Sequence, residues 1–596
     1  MDKVILSGNE AVARGAYEAG VKVAVAYPGT PSTEILENTI NYPSIDSSWA
    51  PNEKVALEVG IGACLGGARS LVTMKHVGLN VAADPLFTLS YTGVRAGLVL
   101  VVADDPELHS SQNEQDSRHY ARAAKMPMFE PADSQEALDF TRLAYAASEQ
   151  FDTPVFVRTT TRIAHSKSIV EQGVAVTGLP EASLERNPAK FVMLPGNARQ
   201  RHHVVEDELK KMADWACDQP FNRIEERSSE VGVITAGVSY QYAREVLPEA
   251  SVLKLGLVFP LAKQLIRDFA ARFKTLYVIE ELEPFIEDQV RALGIEVIGK
   301  DCLPICGELT PGRVASAISG LQPTATYQHD IALPNRPPNM CPGCPHRGVF
   351  YNLKRLKAFV TGDIGCYTLG FMPPLSAMDS CICMGASVGN ASGLNKVLNA
   401  DEKQKVVGVI GDSTFLHTGI NGLMDMVYNG STATLVILDN SITAMTGRQE
   451  NPGSGFTLAG EKAKTVDLEL LCRSIGVEHV RTVNPWDLEQ TRQVLQEEME
   501  RKAPSVVITR GPCILIKRDV GQRKTPLEID PDKCTGCKAC LKIGCPAIEW
   551  QPDAGERGKA VVNQLLCVGC GICDQLCKFD AYKVVGGSVD SEVKNG

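Results

Sequence analysis

Eight cysteines fall within residues 534–577, in two runs of nearly one form: Cys534-x2-Cys537-x2-Cys540-x4-Cys545-Pro546 and Cys567-x2-Cys570-x2-Cys573-x3-Cys577. A tight loop with Cys at every third position can wrap three corners of a [4Fe–4S] cube, leaving the fourth to a more distant sulfur. In two-cluster arrangements the fourth Cys of each run crosses to the other cube. The expectation is one cube on Cys534, Cys537, Cys540 and Cys577, and a second on Cys567, Cys570, Cys573 and Cys545. The alternatives fit less well, since zinc wants four ligands in two pairs and disulfides need no triplets at this spacing. The chemistry of this tail is single-electron transfer.

A second constellation lies upstream. The apolar run Val406–Gly411 ends in Gly411-Asp412-Ser413, and a second strand-like run ends in Asp439-Asn440. Ligands of open α/β sheets bind at the carboxyl ends of strands, so Asp412 and Asn440 could face one site. A carboxylate from Asp412, an amide oxygen from Asn440 and a backbone carbonyl near Ile442 would give Mg2+ its protein ligands, with diphosphate oxygens and a water completing six. This pattern resembles the thiamine-diphosphate motif, Gly-Asp-Gly followed by Asn-Asn. Ser413 replaces its last Gly and Asp439 its first Asn, and an ordinary turn is the alternative. Gly385-x3-Gly389-x3-Gly393 would put three glycines on one helix face for close backbone packing. Within Val55–Ala68 the one charged residue is Glu58, in a small and apolar stretch. Buried, it would need a partner or a proton; on the solvent edge of its helix it would need neither. The turn Tyr27-Pro28-Gly29-Thr30-Pro31-Ser32 follows a strand and presents its hydroxyls where a ligand would be met.

The elements that must position these groups read as α/β throughout. Val21–Tyr27, Gly97–Ala103 and Thr153–Arg158 are expected as buried parallel strands of a first domain. A polar stretch from Glu185 to Glu230, with a helix at Glu206–Ala216, leads to a smaller unit with strands Gly232–Gly237, Val252–Leu257 and Thr275–Glu280. Gln322–Asn339 holds four prolines and reads as a linker. A third α/β domain, with strands Val406–Ile410, Thr434–Leu438 and Pro504–Ile508 and a helix from about His417 to Tyr428, precedes the cluster module. The expected boundaries are 1–185, 186–320, 340–520 and 525–584. The 596 residues carry 60 basic and 71 acidic side chains, a net charge of −11, which suggests no nucleic-acid partner. No 18-residue apolar run would span a bilayer and no signal-peptide pattern opens the chain, so nineteen cysteines point to a reducing cytoplasm.

Taken together, Tyr27–Ser32, the Glu58 helix, Cys341-Pro342-Gly343-Cys344-Pro345-His346-Arg347, Gly411-Asp412-Ser413-Thr414-Phe415 and the cysteine tail resemble the 2-oxoacid:ferredoxin oxidoreductase superfamily. Within it the likeness is greatest to the alpha subunits of indolepyruvate ferredoxin oxidoreductases, and it covers nearly the whole chain. The resemblance implies two thiamine-diphosphate-binding α/β domains, pyrimidine-binding first and diphosphate/Mg-binding third, around a transketolase-C-like α/β domain, with a C-terminal two-cluster ferredoxin-like domain. It implies Glu58 as the aminopyrimidine carboxylate, Thr30 near the substrate, and Gly411, Asp412, Ser413, Asn440, Ile442 and His346 at the cofactor. The implied activity is oxidative decarboxylation of an arylpyruvate to the aryl-acetyl-CoA and CO2, through a thiamine enamine oxidised by iron–sulfur clusters. Coenzyme A is the implied co-substrate, external ferredoxin the acceptor, and a smaller beta subunit the partner in a hetero-oligomer. Cys341, Cys344, Cys366 and Cys513 match a further cluster of related enzymes; free thiols lining the diphosphate site are the alternative.

Other candidates are single residues. His76 and His417 follow strand-like runs and could reach a substrate or serve as structural hydrogen-bonders. Arg118 or Arg122 could pair with a substrate carboxylate or lie on a helix surface. Cys64, Cys217, Cys302, Cys306, Cys381, Cys383 and Cys472 are expected to pack as small hydrophobes. Two further readings stand beside the leading one. The first keeps the chemistry for phenylglyoxylate or a branched-chain 2-oxo acid, and the second is a non-catalytic electron-transfer scaffold.

Overall fold

The computed structural model describes residues 3–227, 230–320, 334, 336–516 and 524–585. Most of the expected linker 322–339 and the end of the expected 340–520 domain lie outside the described residues. The chain divides into two compact units, Met1–Asp330 and Ile331–Gly596.

The first unit is built on a seven-stranded sheet. Its order is Leu257–Phe259, Met128–Phe129, Val155–Thr160, Leu98–Asp104, Ser70–Lys75, Val23–Ala26, Asp46–Trp49, and every pairing is parallel except the first. The central strands are buried on both faces, as near-continuous Val/Leu/Ala runs require. A four-stranded sheet follows, in the order Thr275–Ile279, Val231–Ala236, Ser251–Leu255, Arg223–Glu225. One apolar core runs from Val25 and Leu100 through Leu253 to Phe285, so the two sheets share an interior.

The second unit carries a six-stranded, all-parallel sheet: Ser380–Cys381, Phe359–Gly362, Val406–Gly411, Thr434–Asp439, Ser505–Arg510, His479–Val483. Separate apolar clusters cover its two faces. Two small antiparallel pairs, Leu527–Ile529 with Tyr582–Val584 and Ile548–Gln551 with Lys559–Val562, frame the cysteine tail. Ile543, Ile548 and Ile572 of that tail pack with Leu488 and Trp486 of the α/β domain.

Three elements differ from the sequence reading. Val252–Leu257 is two strands, because the chain breaks at Gly256, where a Cβ would stand 2.7 Å from the carbonyl oxygen of Phe221. The second piece crosses to the first sheet and ties the two together. The helix expected at Glu206–Ala216 begins at Pro195 and runs to Trp215, since proline at its first turn needs no amide partner. The segment from His417 opens with a π-helical turn, Phe415–Gly419, before the α-helix Ile420–Tyr428. Among the described residues no helix is long and apolar enough to cross a membrane.

Candidate cofactor and electron-transfer sites

In the second unit, three neighbouring strands of the parallel sheet end in polar oxygen-bearing groups along one edge. Phe359–Gly362 leads into Asp363, Val406–Gly411 into Asp412, and Thr434–Asp439 into Asn440. Asp363 accepts the backbone N–H groups of Ile364 (2.8 Å), Gly385 (3.0 Å) and Ser387 (3.2 Å) at the start of helix Ala386–Val397. Gly385, at φ 87°, must be glycine, since a Cβ there would strike the Thr418 hydroxyl. Asp412 is 3% exposed. One of its oxygens takes the Ser413 N–H at 2.8 Å, and Oδ2 is buried with no hydrogen-bond partner among the described residues. Burial, and then the nearby Asp439, push its carboxyl up to about 8. A buried carboxylate with an unmet oxygen is the donor a hard divalent cation requires.

The surrounding loop is fixed by short contacts. Asn440 Nδ2 lies 3.3 Å from His346 Nε2, and Asn440 Oδ1 accepts the Ile442 N–H at 3.2 Å. Thr443 donates to the Ser413 hydroxyl at 2.8 Å, and Arg510 holds Asp439 at 2.8 Å. Burial pulls His346 down to about 4, so its imidazole is neutral at physiological pH. The residues present therefore fit a metal-bound diphosphate.

Twelve of the fifteen cysteines of this unit fall into three groups, leaving out Cys381, Cys383 and Cys472. Cys344 is pushed up to about 12 by burial and then by Cys341 and Cys366. Cys366 is pushed up to about 11 by burial and then by Cys513 and Cys341. The Cys513 N–H donates to the Asn440 carbonyl at 3.0 Å, so this first group adjoins the Asp412 loop. In the tail, burial followed by Cys570, Cys545 and Cys567 raises Cys573, which assembles the second group. Cys534, Cys537, Cys540 and Cys577 line one pocket together with Trp550 and Tyr582, and form the third. Each tail group thus takes three thiols from one run and one from the other. All nineteen cysteines are free of disulfides.

Arg347 bears on the first two groups. It is 1% exposed and among the described residues donates only to neutral acceptors: the carbonyls of Cys341 (3.0 Å), Met340, Ile543 (3.2 Å) and Gly544 (2.6 Å), and the Asn339 amide oxygen (3.2 Å). Burial lowers its pKa, against Cys545, Cys344, Cys341 and Cys570, which raise it. A buried guanidinium without a carboxylate suits anionic iron–sulfur groups on either side.

In the first unit, Thr30 is half-buried in the turn after strand Val23–Ala26. Glu58 lies on the outer face of helix Glu53–Leu65, its side chain 47% exposed and paired to Lys54 at 2.8 Å. The buried placement is corrected for this unit: Ala56, Leu57, Gly60 and Cys64 turn inward, and Glu58 shares the outer face with Val59 and Leu65, themselves 43% and 37% exposed. Arg118 is neither a surface residue nor open to a substrate, since Asp116 (2.6 Å) and Glu280 (2.5 Å) hold it 1% exposed. Arg122 is exposed. His76 is fully buried against Asn113 at 3.0 Å, and His417 is buried beside Thr418. Gly389 and Gly393 face solvent with nothing near an added Cβ, so they mediate no close packing within this unit. Cys306 and Cys383 are exposed rather than packed.

Three family models match the chain. "Pyruvate flavodoxin/ferredoxin oxidoreductase, thiamine diP-bdg" covers residues 14–229, "Thiamine pyrophosphate enzyme, C-terminal TPP binding domain" 363–509, and "4Fe-4S dicluster domain" 504–581. The indolepyruvate oxidoreductase subunit IorA of Archaeoglobus fulgidus is 42% identical over 98% of this chain and 97% of its own length. That of Pyrococcus abyssi is 39% identical over the same shares. The chain belongs to the IorA family. The ketoisovalerate oxidoreductase subunit VorB of Methanothermobacter thermautotrophicus is more distant, 24% identical over 56% of this chain and 92% of its own. This IorA-family chain therefore carries thiamine-diphosphate-binding and iron–sulfur domains, in a 2-oxoacid oxidoreductase that passes electrons to ferredoxin.

Reasoning from the IorA-family sequence alone passes over Asp363, Lys75 and Arg347. The Gly362-Asp363 pair had the same signal as Gly411-Asp412, a glycine and aspartate closing an apolar strand. The buried positions of Lys75 and Arg347 depend on contacts that no spacing displays.

Proposed function

We propose that this chain is the larger subunit of an enzyme that oxidatively decarboxylates arylpyruvates, indolepyruvate foremost, forming the aryl-acetyl-CoA and CO2 while reducing ferredoxin. Greater similarity to IorA than to VorB, 42% against 24% identity, supports the aryl substrate. The observation that carries the chemistry is the junction at Asn440: its loop is tied to Ser413, next to Asp412, by the Thr443 hydroxyl, and its carbonyl receives the amide of Cys513. A metal–diphosphate site and an electron-accepting thiol group thus share one loop.

In this reading Asp412, Asn440 and the Ile442 carbonyl hold Mg2+, and Gly411, Ser413 and His346 shape the diphosphate cradle. When bound, thiamine diphosphate supplies the carbanion chemistry that releases CO2 and yields two electrons. Asp412 would bind the metal as a carboxylate, its proton passing to solvent as Mg2+ takes its place. Neutral His346 fixes the Asn440 amide. Glu58, the one carboxylate on the outer face of its helix and paired there to Lys54, is assigned to the aminopyrimidine, and Thr30 to the substrate. Cys341, Cys344, Cys366 and Cys513 hold a third cluster beside the two of the tail. A smaller beta subunit completes the enzyme, and nineteen unpaired cysteines suit a cytoplasmic setting.

Anaerobic purification with the partner subunit, cofactor and iron analysis, and a 2-oxo acid panel with a reducible dye test this reading. We expect indolepyruvate and phenylpyruvate to exceed pyruvate and phenylglyoxylate in kcat/KM, and about twelve irons per chain. Asp412→Ala should lose thiamine diphosphate and at least 100-fold in rate. A preference for pyruvate overturns the substrate assignment, about eight irons overturn the third cluster, and full activity of Asp412→Ala overturns the metal site.

A further inference from the structure

Strand Ser70–Lys75 of the first unit is buried along its whole length and ends in an ammonium group, Lys75, that is 7% exposed. Burying a lysine is costly unless a counter-charge faces it, and among the described residues none is in contact. Its hydrogen bond goes to a neutral acceptor, the Ser110 carbonyl, at 2.7 Å. Asp105 is the acid it senses, but the Asp105 carboxylate is occupied elsewhere, accepting the Ser110 N–H (2.8 Å), the Ser111 hydroxyl (2.5 Å) and the Thr161 hydroxyl (2.6 Å). A lysine carries three N–H donors, so two are left for a ligand.

The surroundings locate that ligand. The sheet places Ser70–Lys75 between Val23–Ala26 and Leu98–Asp104, so the turn after each neighbour flanks Lys75 at the carboxyl edge, where α/β sheets bind ligands. Gly29 presses on the lysine stem, since a Cβ there would lie 3.1 Å from Lys75 Cβ. The Ser110 hydroxyl, 3.4 Å from the Thr30 carbonyl, links the other two turns. Ser110 is exposed and Thr30 half-buried, so the Thr30–Lys75–Ser110 patch opens outward. One point charge beside hydroxyls suits a single carboxylate better than a phosphate, which asks for a fork of donors or a nest of amides. Arg118 and Arg158, also buried in this region, already have carboxylate partners.

We propose that Lys75 is the residue that receives the carboxylate of the 2-oxo acid, with the Thr30 and Ser110 hydroxyls beside it. The inference rests on the 2-oxo acid reading above and adds to it a residue for the group common to all such substrates. The ion pair forms in the bound substrate and ends when the carboxylate departs as CO2, so it contributes to binding more than to the barrier.

The test uses the holoenzyme with its partner subunit. Lys75→Gln should raise KM for phenylpyruvate at least tenfold with a smaller fall in kcat, Lys75→Arg should restore most of the loss, and both should keep wild-type thiamine diphosphate and iron. As probes, 3-phenylpropionate should inhibit Lys75→Gln at least tenfold less well than wild type, and neutral 3-phenylpropionamide should inhibit both alike. A KM within twofold of wild type, equal weakening of acid and amide, or loss of thiamine diphosphate from Lys75→Gln overturns the assignment. If Lys75→Gln does not fold, Lys75→Met and Lys75→Arg carry the same comparison. An active wild type with an unaffected variant overturns this inference alone. A wild type inactive on every 2-oxo acid overturns the functional reading and this inference with it.

Discussion

Asp412, Arg347 and Lys75 have one property in common: each is a buried ionisable group lacking an opposite charge in contact among the described residues. Such groups are expensive in a folded chain, so each marks where a charge from outside the polypeptide is expected, a cation at Asp412 and anions at the other two. Arg347 allows a direct check, because its guanidinium lies by the thiols of two separate groups. Reducing a cluster adds negative charge, which a nearby cation stabilises, so removing the cation makes reduction harder. Arg347→Gln should therefore lower the midpoint potential of the neighbouring clusters by roughly 70–100 mV, taking an effective dielectric near 20 and a separation of about 7–10 Å. Redox titration followed by electron paramagnetic resonance measures it. An unchanged potential with full iron content would show that the arginine only braces the Cys341 and Gly544 loops.

At the scale of elements, the two sheets of the first unit are joined by buried charge as well as by a shared core. Arg158 within strand Val155–Thr160 binds Asp104 (2.7 Å) and Glu130 (2.6 Å), and Arg118 reaches Glu280 just past strand Thr275–Ile279. Glu281 stands beside them, accepting the Leu309 N–H at 3.0 Å, and burial lifts its carboxyl from 4.5 to about 7 despite Arg158. Between those values the folded chain holds a proton that the unfolded chain has released, so stability falls as pH rises through that window and is level outside it. Glu281→Gln keeps the acceptor and removes the charge. It should raise the unfolding midpoint of this unit at pH 8, by at most roughly 3 kcal/mol from the size of the shift, and make no difference near pH 4.5. A lowered midpoint at pH 8 in thermal denaturation would refute it. The network also shows what local patterns cannot display. Parallel strands such as Leu98–Asp104 and Val406–Gly411 are legible because burial on both faces demands unbroken apolar runs, and the cysteine runs are legible because a cube fixes their spacing. Arg118 and Glu280 are 162 residues apart, and the exposed side of the Glu58 helix carries Val59 and Leu65 beside the Lys54–Glu58 pair, so in both cases the environment was set by tertiary packing.

At the scale of the second unit as a whole, the thiol groups have an order. The Asp412 loop touches the first group through Cys513 and Asn440. The Cys341–Cys344 loop meets the second, since a Cβ on Gly343 would lie 3.6 Å from Cys570 Cβ. Tyr582 stands between the second and third groups, its hydroxyl pKa raised by burial and then by Cys573 and Cys540. Cys537 of the third group is exposed. Electrons released at the Asp412 end would therefore leave last from the Cys534, Cys537, Cys540 and Cys577 group, which is the one a soluble carrier can approach. Cys537→Ala removes a ligand at that exit while leaving the earlier steps in place. It should lower iron by up to about four per chain, cut ferredoxin reduction at least tenfold, and spare most 2-oxo acid-dependent reduction of a small viologen, which can collect electrons from the inner groups. Cys570→Ala, which interrupts the middle of the sequence, should lower ferredoxin reduction at least as much. Ferredoxin reduction that survives Cys537→Ala but not Cys570→Ala would place the exit at the second group and reverse the order.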